Sequence, residues 1–87
     1  MLTMANMQKN KRYTIKSITE NGMMKQKLLF MGLTPGAQVR LLSTSPLGDP
    51  MAFEVRTFTL SLRRKEAEKI LVEEQGGSAV AQQSEPK

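Results

Sequence analysis

The stretch Leu28–Leu42, "LLFMGLTPGAQVRLL", changes from helical to strand spacing within one short segment. Just upstream, "MMKQKLLFMG" reads as a short helix, because Met24, Leu28 and Met31 fall at i, i+4 and i+7 on one face. Gly32 is placed to end it, since a residue without Cβ adopts the left-handed conformation after a helix at no steric cost. Pro35-Gly36 then reads as a type II turn, with proline presetting the first central position and glycine supplying positive φ at the second. Beyond the turn, Val39 and Leu41 point one way and Arg40 and Leu42 the other, which is the period of a half-buried strand.

Working outward, "RYTIKSI" predicts a first strand, with Tyr13 and Ile15 opposite Thr14 and Lys16, and "ENG" breaks it. After "STSPLGDP", "MAFEVRT" alternates Met51, Phe53 and Val55 with Ala52, Glu54 and Arg56. "FTLSL" keeps that period with Phe58, Leu60 and Leu62 inward, so the change of face requires a tight turn or bulge at Arg56 and Thr57. "RRKEAEKI" predicts one or two helical turns with Ala67, Ile70 and Leu71 on the apolar side and an Arg64–Glu68 pair outside, and "ILVEE" a last short strand. The order is strand, helix, three strands, short helix, strand. Several short, one-sided strands favour a mainly β fold closed as a small barrel, which also removes sheet edges. Residues 1–10 lack a sustained period and are expected to be a flexible segment. Residues 75–87 are rich in Gly, Ser, Gln and Ala and are expected to be a disordered tail, which leaves 11–74 as the folded domain.

Composition narrows the chemistry. The 87 residues suffice for one small domain. With no cysteine, histidine or tryptophan, the chain has no disulfide, no thiolate or imidazole metal ligand and no histidine base. That argues against an enzyme, and no cofactor is expected. Carboxylates alone would suit Mg²⁺ or Ca²⁺, yet Asp49 and Glu54, the nearest pair, lack the acidic neighbours such a site needs, so no metal site is expected. The formal net charge is +5, and within 11–74 eleven Lys and Arg against seven Asp and Glu leave +4, so the charge belongs to the domain. Nucleic acid, an anionic membrane surface or an acidic protein are all open as partners. The longest apolar run, Leu28–Met31, is far too short to span a membrane, no apolar leader is visible, and the cytoplasm is the expected compartment.

Three segments in order, "LLFMGLTPGAQVRLL", "SPLGDPMAFEV" and "LSLRRKEAEKILVE", resemble the FeoA family (ferrous iron transport protein A). The family pattern is a helix ending in Leu-Gly-Leu/Met-x-Pro-Gly, a central Pro-Leu-Gly-Asp-Pro and a closing Leu-Arg-x-x-x-Ala-x-x-Ile. Here these are Met31–Gly36, Pro46–Pro50 and Leu62–Ile70, and the likeness spans about Tyr13 to Glu73. The chain departs from the pattern at Thr57, where many members carry glycine. The resemblance implies an SH3-like β-barrel in the cytoplasm. It also implies a non-catalytic module that binds and regulates FeoB, the membrane Fe²⁺ transporter, and so sits at the inner membrane through that partner.

Gly32, Pro35, Gly36, Gly48, Asp49 and Pro50 are read as structural turn residues, with Asp49 bonding nearby backbone amides. Leu47 has two readings: it tucks into the barrel end, as a small core favours, or is offered to a partner. Leu29 and Phe30 fall about 130° either side of the Met24/Leu28/Met31 face, so either other elements cover them or they form an apolar patch for a partner. Arg63, Arg64 and Lys65 form a basic cluster, with Arg40 and Arg56 as possible sheet-face companions. It is a solvated face, or meets an acidic protein or lipid phosphates. The candidate partner-binding set is Leu29, Phe30, Leu47, Arg63 and Arg64. The alternative function is a basic nucleic-acid-binding barrel, but Tyr13, Phe30, Phe53 and Phe58 mostly fall at inward positions and not as stacking platforms. A third reading makes Arg63 or Arg64 an arginine finger acting on a nucleotide hydrolase, and nothing in the sequence marks either residue for it.

Overall fold

Five strands, β1 (Arg12–Ile18), β2 (Gln38–Thr44), β3 (Met51–Val55), β4 (Phe58–Leu62) and β5 (Ile70–Glu74), pair antiparallel in a computed structural model that describes residues 2–74. Their spatial order is β4-β3-β2-β1-β5. Helix α1 (Gly22–Phe30) joins β1 to β2, and the single turn α2 (Arg64–Ala67) joins β4 to β5. The alternation seen in sequence is the alternation of burial: Tyr13, Ile15, Val39, Leu41, Met51, Phe53 and Val55 all face one core. Extra residues at Lys16 and Leu42 shift the β1–β5 and β2–β3 registers, and such bulges bend the strands and tighten the curl of the sheet. β4 and β5 are its edges and share no ladder among the described residues. The link between them, α2, instead brings Ala67 into the core, and Ile70 follows it there at the start of β5.

The decisive stretch forms as its residues dictate. Helix α1 ends in a Schellman motif: Leu33 N–H donates to Leu28 O at 3.1 Å and Gly32 N–H to Leu29 O at 3.0 Å, with Gly32 at φ +91°. Leu28 and Leu33 are both fully buried beneath it, the apolar contact that accompanies such a cap. Ala37 N–H then donates to Thr34 O at 3.0 Å across Pro35 and Gly36, the latter at φ +92°, closing the type II turn. Gly36 N–H donates to Ile15 O at 2.8 Å and Ile15 N–H to Ala37 O at 2.9 Å, so the turn docks directly on β1.

The N-terminus differs from expectation. Leu2–Asn10 is not loose: Met4 and Met7 enter the core, with Met4 fully buried. The segment is tied at both ends. Val72 N–H donates to Leu2 O at 2.9 Å beside a Thr3–Leu71 bridge, and Asn10 N–H donates to Leu41 O at 2.9 Å beside a parallel Lys9–Leu41 bridge. Between them, Gln8 N–H donates to the hydroxyl of buried Tyr13 at 2.9 Å. A core this small gains from two further apolar side chains, and their i, i+3 spacing around a single 3-10 turn (Met4–Asn6) is too brief to register as a period. The expected tail, 75–87, lies outside the described residues.

Phe58 is also corrected. It shares the inward face with Leu60 and Leu62, but only Leu62 is buried, and Phe58 remains 42% exposed. The β3–β4 hairpin turns through Arg56 and Thr57 alone, with Val55 opposite Phe58, and its tip lies at the rim of the core. Phe58 covers Gly32 there, where a Cβ would come within 2.9 Å of its ring.

Candidate partner-binding face

Helix α1, helix α2 and the loop 45–50 are joined by polar contacts, and together they carry the exposed apolar side chains Phe30 and Leu47. In the loop, Gly48 N–H donates to Ser45 O at 2.7 Å and Ser45 N–H to Pro50 O at 3.1 Å. Pro46 and Leu47 are therefore the central residues of a tight turn and its outermost point. Leu47 is 95% exposed, which corrects the tucked position that a small core favours. The side chain sits at the tip of a turn whose backbone is closed beneath it, so it has no route back to the core.

Asp49 does more than bond its neighbours. Its Oδ1 accepts from Arg64 N–H at 2.9 Å, capping the first turn of α2 from another part of the chain. Arg63 Nη1 lies 3.8 Å from Asp49 Oδ2. Arg64 turns inward from the expected pairing with Glu68: its Nε donates to Gly48 O at 3.2 Å and its Nη1 to Ala5 O at 3.3 Å. A backbone carbonyl on each side makes Arg64 a clamp between the loop, α2 and the N-terminal segment. Arg63 stays exposed beside Asp49.

The other link runs to α1. Glu66 Oε1 accepts from Arg63 N–H at 2.9 Å and its Oε2 pairs with Lys27 Nζ at 3.0 Å. The Arg63 amide, then the Lys27 ammonium, hold the Glu66 carboxyl below its ordinary range against the opposing effect of burial. Along α1, Phe30 is 90% exposed and Met23, two turns earlier on the same side, is 87% exposed. Leu29 is half-buried and packs against the core, so of the two residues flanking the core stripe Phe30 is the one that stands fully outward. The sequence signal for Met23 is its i, i+7 relation to Phe30, which places both on one side of the helix.

The structure thus joins Phe30, Leu47, Arg63 and Arg64 through neighbouring elements, and half-buried Leu29 lines one apolar groove of about 500 Å³ with Gln26 and Phe30. The two carboxylates considered for a cation are spent elsewhere: Asp49 on α2, and Glu54 on Arg40 at 2.9 Å. Among the described residues, no helix is long and apolar enough to cross a membrane.

Five antiparallel strands curled over one core define an SH3-like β domain. FeoA of Stenotrophomonas maltophilia, described as a prokaryotic SH3 domain protein, has the same fold. It matches with a TM-score of 0.75 at 22% identity, covering 84% of this chain and 91% of that one. The chain belongs to the FeoA family, whose domain matches residues 2–74 and which is associated with ferrous iron transport. The iron(II) transport protein A of Clostridium thermocellum is 30% identical, with a TM-score of 0.84 over 87% of this chain and 47% of that one. A fusion of Fe(2+) transport protein A with the Fe(2+) transporter FeoB, from Porphyromonas gingivalis, is 32% identical over 59 residues. That match takes in 68% of this chain and 7% of the fusion protein. The chain therefore spans less than half the length of either of these two relatives. The match from residue 2 places the N-terminal segment inside the domain, in agreement with the burial of Met4 and Met7.

Proposed function

We propose that the chain is a non-catalytic accessory module of ferrous iron uptake that binds and regulates a FeoB-type transporter from the cytoplasmic side. The docking face is the one bearing Phe30 and Leu47, with Met23 and Arg63 beside it. The observation that carries this reading is the near-complete exposure of Phe30 and Leu47 on elements tied to α2 by the Asp49–Arg64 hydrogen bond and the Lys27–Glu66 pair. Exposed apolar side chains on a fixed backbone lose little entropy on binding, and that is how anchor residues act. The fusion of a related domain to a transporter in Porphyromonas gingivalis supports the choice of partner. The test is capture of the transporter's soluble cytoplasmic domain by the full chain, with and without nucleotide. Phe30→Ser and Leu47→Ser are each expected to weaken capture by about 1–3 kcal/mol, the usual cost of losing a buried apolar anchor. Undiminished capture by both folded variants would exclude this face, and no capture by the parent chain would exclude the partner.

A further inference from the structure

On the outer face of the sheet, three arginines surround a small pocket that the docking face does not share. The β-ladder places Arg12 of β1 directly opposite Arg40 of β2, and Arg40 directly opposite Glu54 of β3. Like charges facing one another across a ladder are unfavourable, and one carboxylate does not balance two guanidinium groups. Glu54 Oε1 accepts from Arg40 Nη2 at 2.9 Å, whereas Arg40 Nε is buried and has no hydrogen-bond partner. A buried donor left unmade is costly, and this one belongs to a cation. Arg12 forms no ion pair with any described carboxylate; its neighbour Lys11 takes Glu74 instead, at 3.0 Å.

Arg56 completes the group. It lies at φ +56°, a conformation that glycine or asparagine takes readily and arginine rarely does. Its Nη2 donates to Thr34 Oγ1 at 3.2 Å, which holds the guanidinium beside the pocket. A strained arginine where a turn would accept glycine is an outlier of the kind that points to function. The pocket has a volume of about 60 Å³ and is lined by Arg12, Gln38, Val39, Arg40, Glu54 and Arg56. That is room for about two waters, or for one small anionic group, and for nothing longer.

We infer that the Arg12–Arg40–Arg56 pocket is a binding site for one phosphate group. Three guanidinium groups against the Glu54 carboxylate leave a local charge of +2, which complements a phosphate dianion near neutral pH. Guanidinium forks suit the several acceptor oxygens of a phosphate, and Arg12, Arg40 and Arg56 all line the one pocket. The group comes either from free phosphate or from a nucleotide whose base and sugar remain outside.

The experiment follows the Arg Nε–H resonances of the full, isotope-labelled chain during titration with inorganic phosphate. Parallel titrations use a nucleoside monophosphate, acetate, and chloride at matched ionic strength. Phosphate is expected to give a saturable shift of the Nε–H resonances of Arg12, Arg40 and Arg56 that neither acetate nor chloride reproduces. Arg12→Gln, at an exposed position whose loss spares the Arg40–Glu54 pair, is expected to weaken phosphate about tenfold, the value of one charge-assisted contact. Its remaining spectrum and unfolding midpoint are expected to stay unchanged. Tighter binding of the monophosphate than of free phosphate assigns the nucleotide source, and equal binding the free anion. No saturable shift with phosphate overturns the site. So does an equal response to chloride or acetate, or an Arg12→Gln titration identical to that of the parent chain.

Discussion

Gly32 and Gly36 sit at nearly the same φ, but in different surroundings. A Cβ on Gly36 meets nothing within 4 Å, whereas one on Gly32 meets the Phe58 ring at 2.9 Å. Gly36→Ala is expected to cost about 1–2 kcal/mol from left-handed backbone strain alone. Gly32→Ala is expected to cost more, because Phe58 must swing off its seat, and urea unfolding of the two variants measures the difference. Asp49 is a second position where one atom decides. Asp49→Ala removes the acceptor for Arg64 N–H and is expected to cost about 1 kcal/mol, as loss of a helix cap does. Asp49→Asn, which keeps the oxygen, is expected to retain most of that stability. Both glycines are legible as turn residues from sequence. The partner of Asp49 is not, because it lies beyond the whole β3–β4 hairpin.

Among the elements, the N-terminal segment and α2 depend most on contacts remote in sequence. Met4→Ala is expected to destabilise by about 2–5 kcal/mol, the usual cost of a cavity at a fully buried methionine. Had the segment been loose, the change would have been nearly silent, so the unfolding midpoint tests its docking directly. The α1–α2 link carries a pH signature. The folded-state pKa of Glu66 is lowered, so its contribution to stability is complete above the ordinary glutamate value of about 4.3. It is lost as pH falls through the lower folded value. Glu66→Gln is expected to be less stable than the parent at neutral pH and to lose less stability on acidification. Equilibrium unfolding across that range measures both effects. The helical spacing of α1 and the alternation of β1, β2 and β3 could be read directly, because each repeats its period against one core. The 3-10 turn at Met4–Asn6 could not, because a single turn has no period to read.

Across the whole molecule, exposed Phe30 and Leu47 stand on α1 and the 45–50 loop, while the outer face of the sheet concentrates arginine. Phe30→Ser combined with Leu47→Ser is expected to leave global stability within about 0.5 kcal/mol, as exposed substitutions usually do, while abolishing capture of the transporter domain. The nucleic-acid alternative requires aromatic platforms. Tyr13 and Phe53 are fully buried, which leaves Phe30 and the half-covered Phe58 for stacking. A gel shift at low salt is accordingly expected to show no band that persists as salt rises, since contacts to phosphate alone are strongly screened.

Turn chemistry and the inward faces of β1, β2 and β3 follow from the order of residues alone. Gly32, Pro35 and Gly36 allow few backbone paths, and a period of two assigns every side chain of a strand at once. The same order also carries the family, through three spaced marks. Tertiary packing set Leu47 at the tip of a closed turn and left Leu29 half-buried while Phe30 stands exposed. It also decided that Arg64 clamps three segments and that Arg12 meets Arg40 across the ladder. The physical reason is the same in each case. Exposure, capping and charge pairing are set by which segments pack together, and those segments lie far apart along the chain.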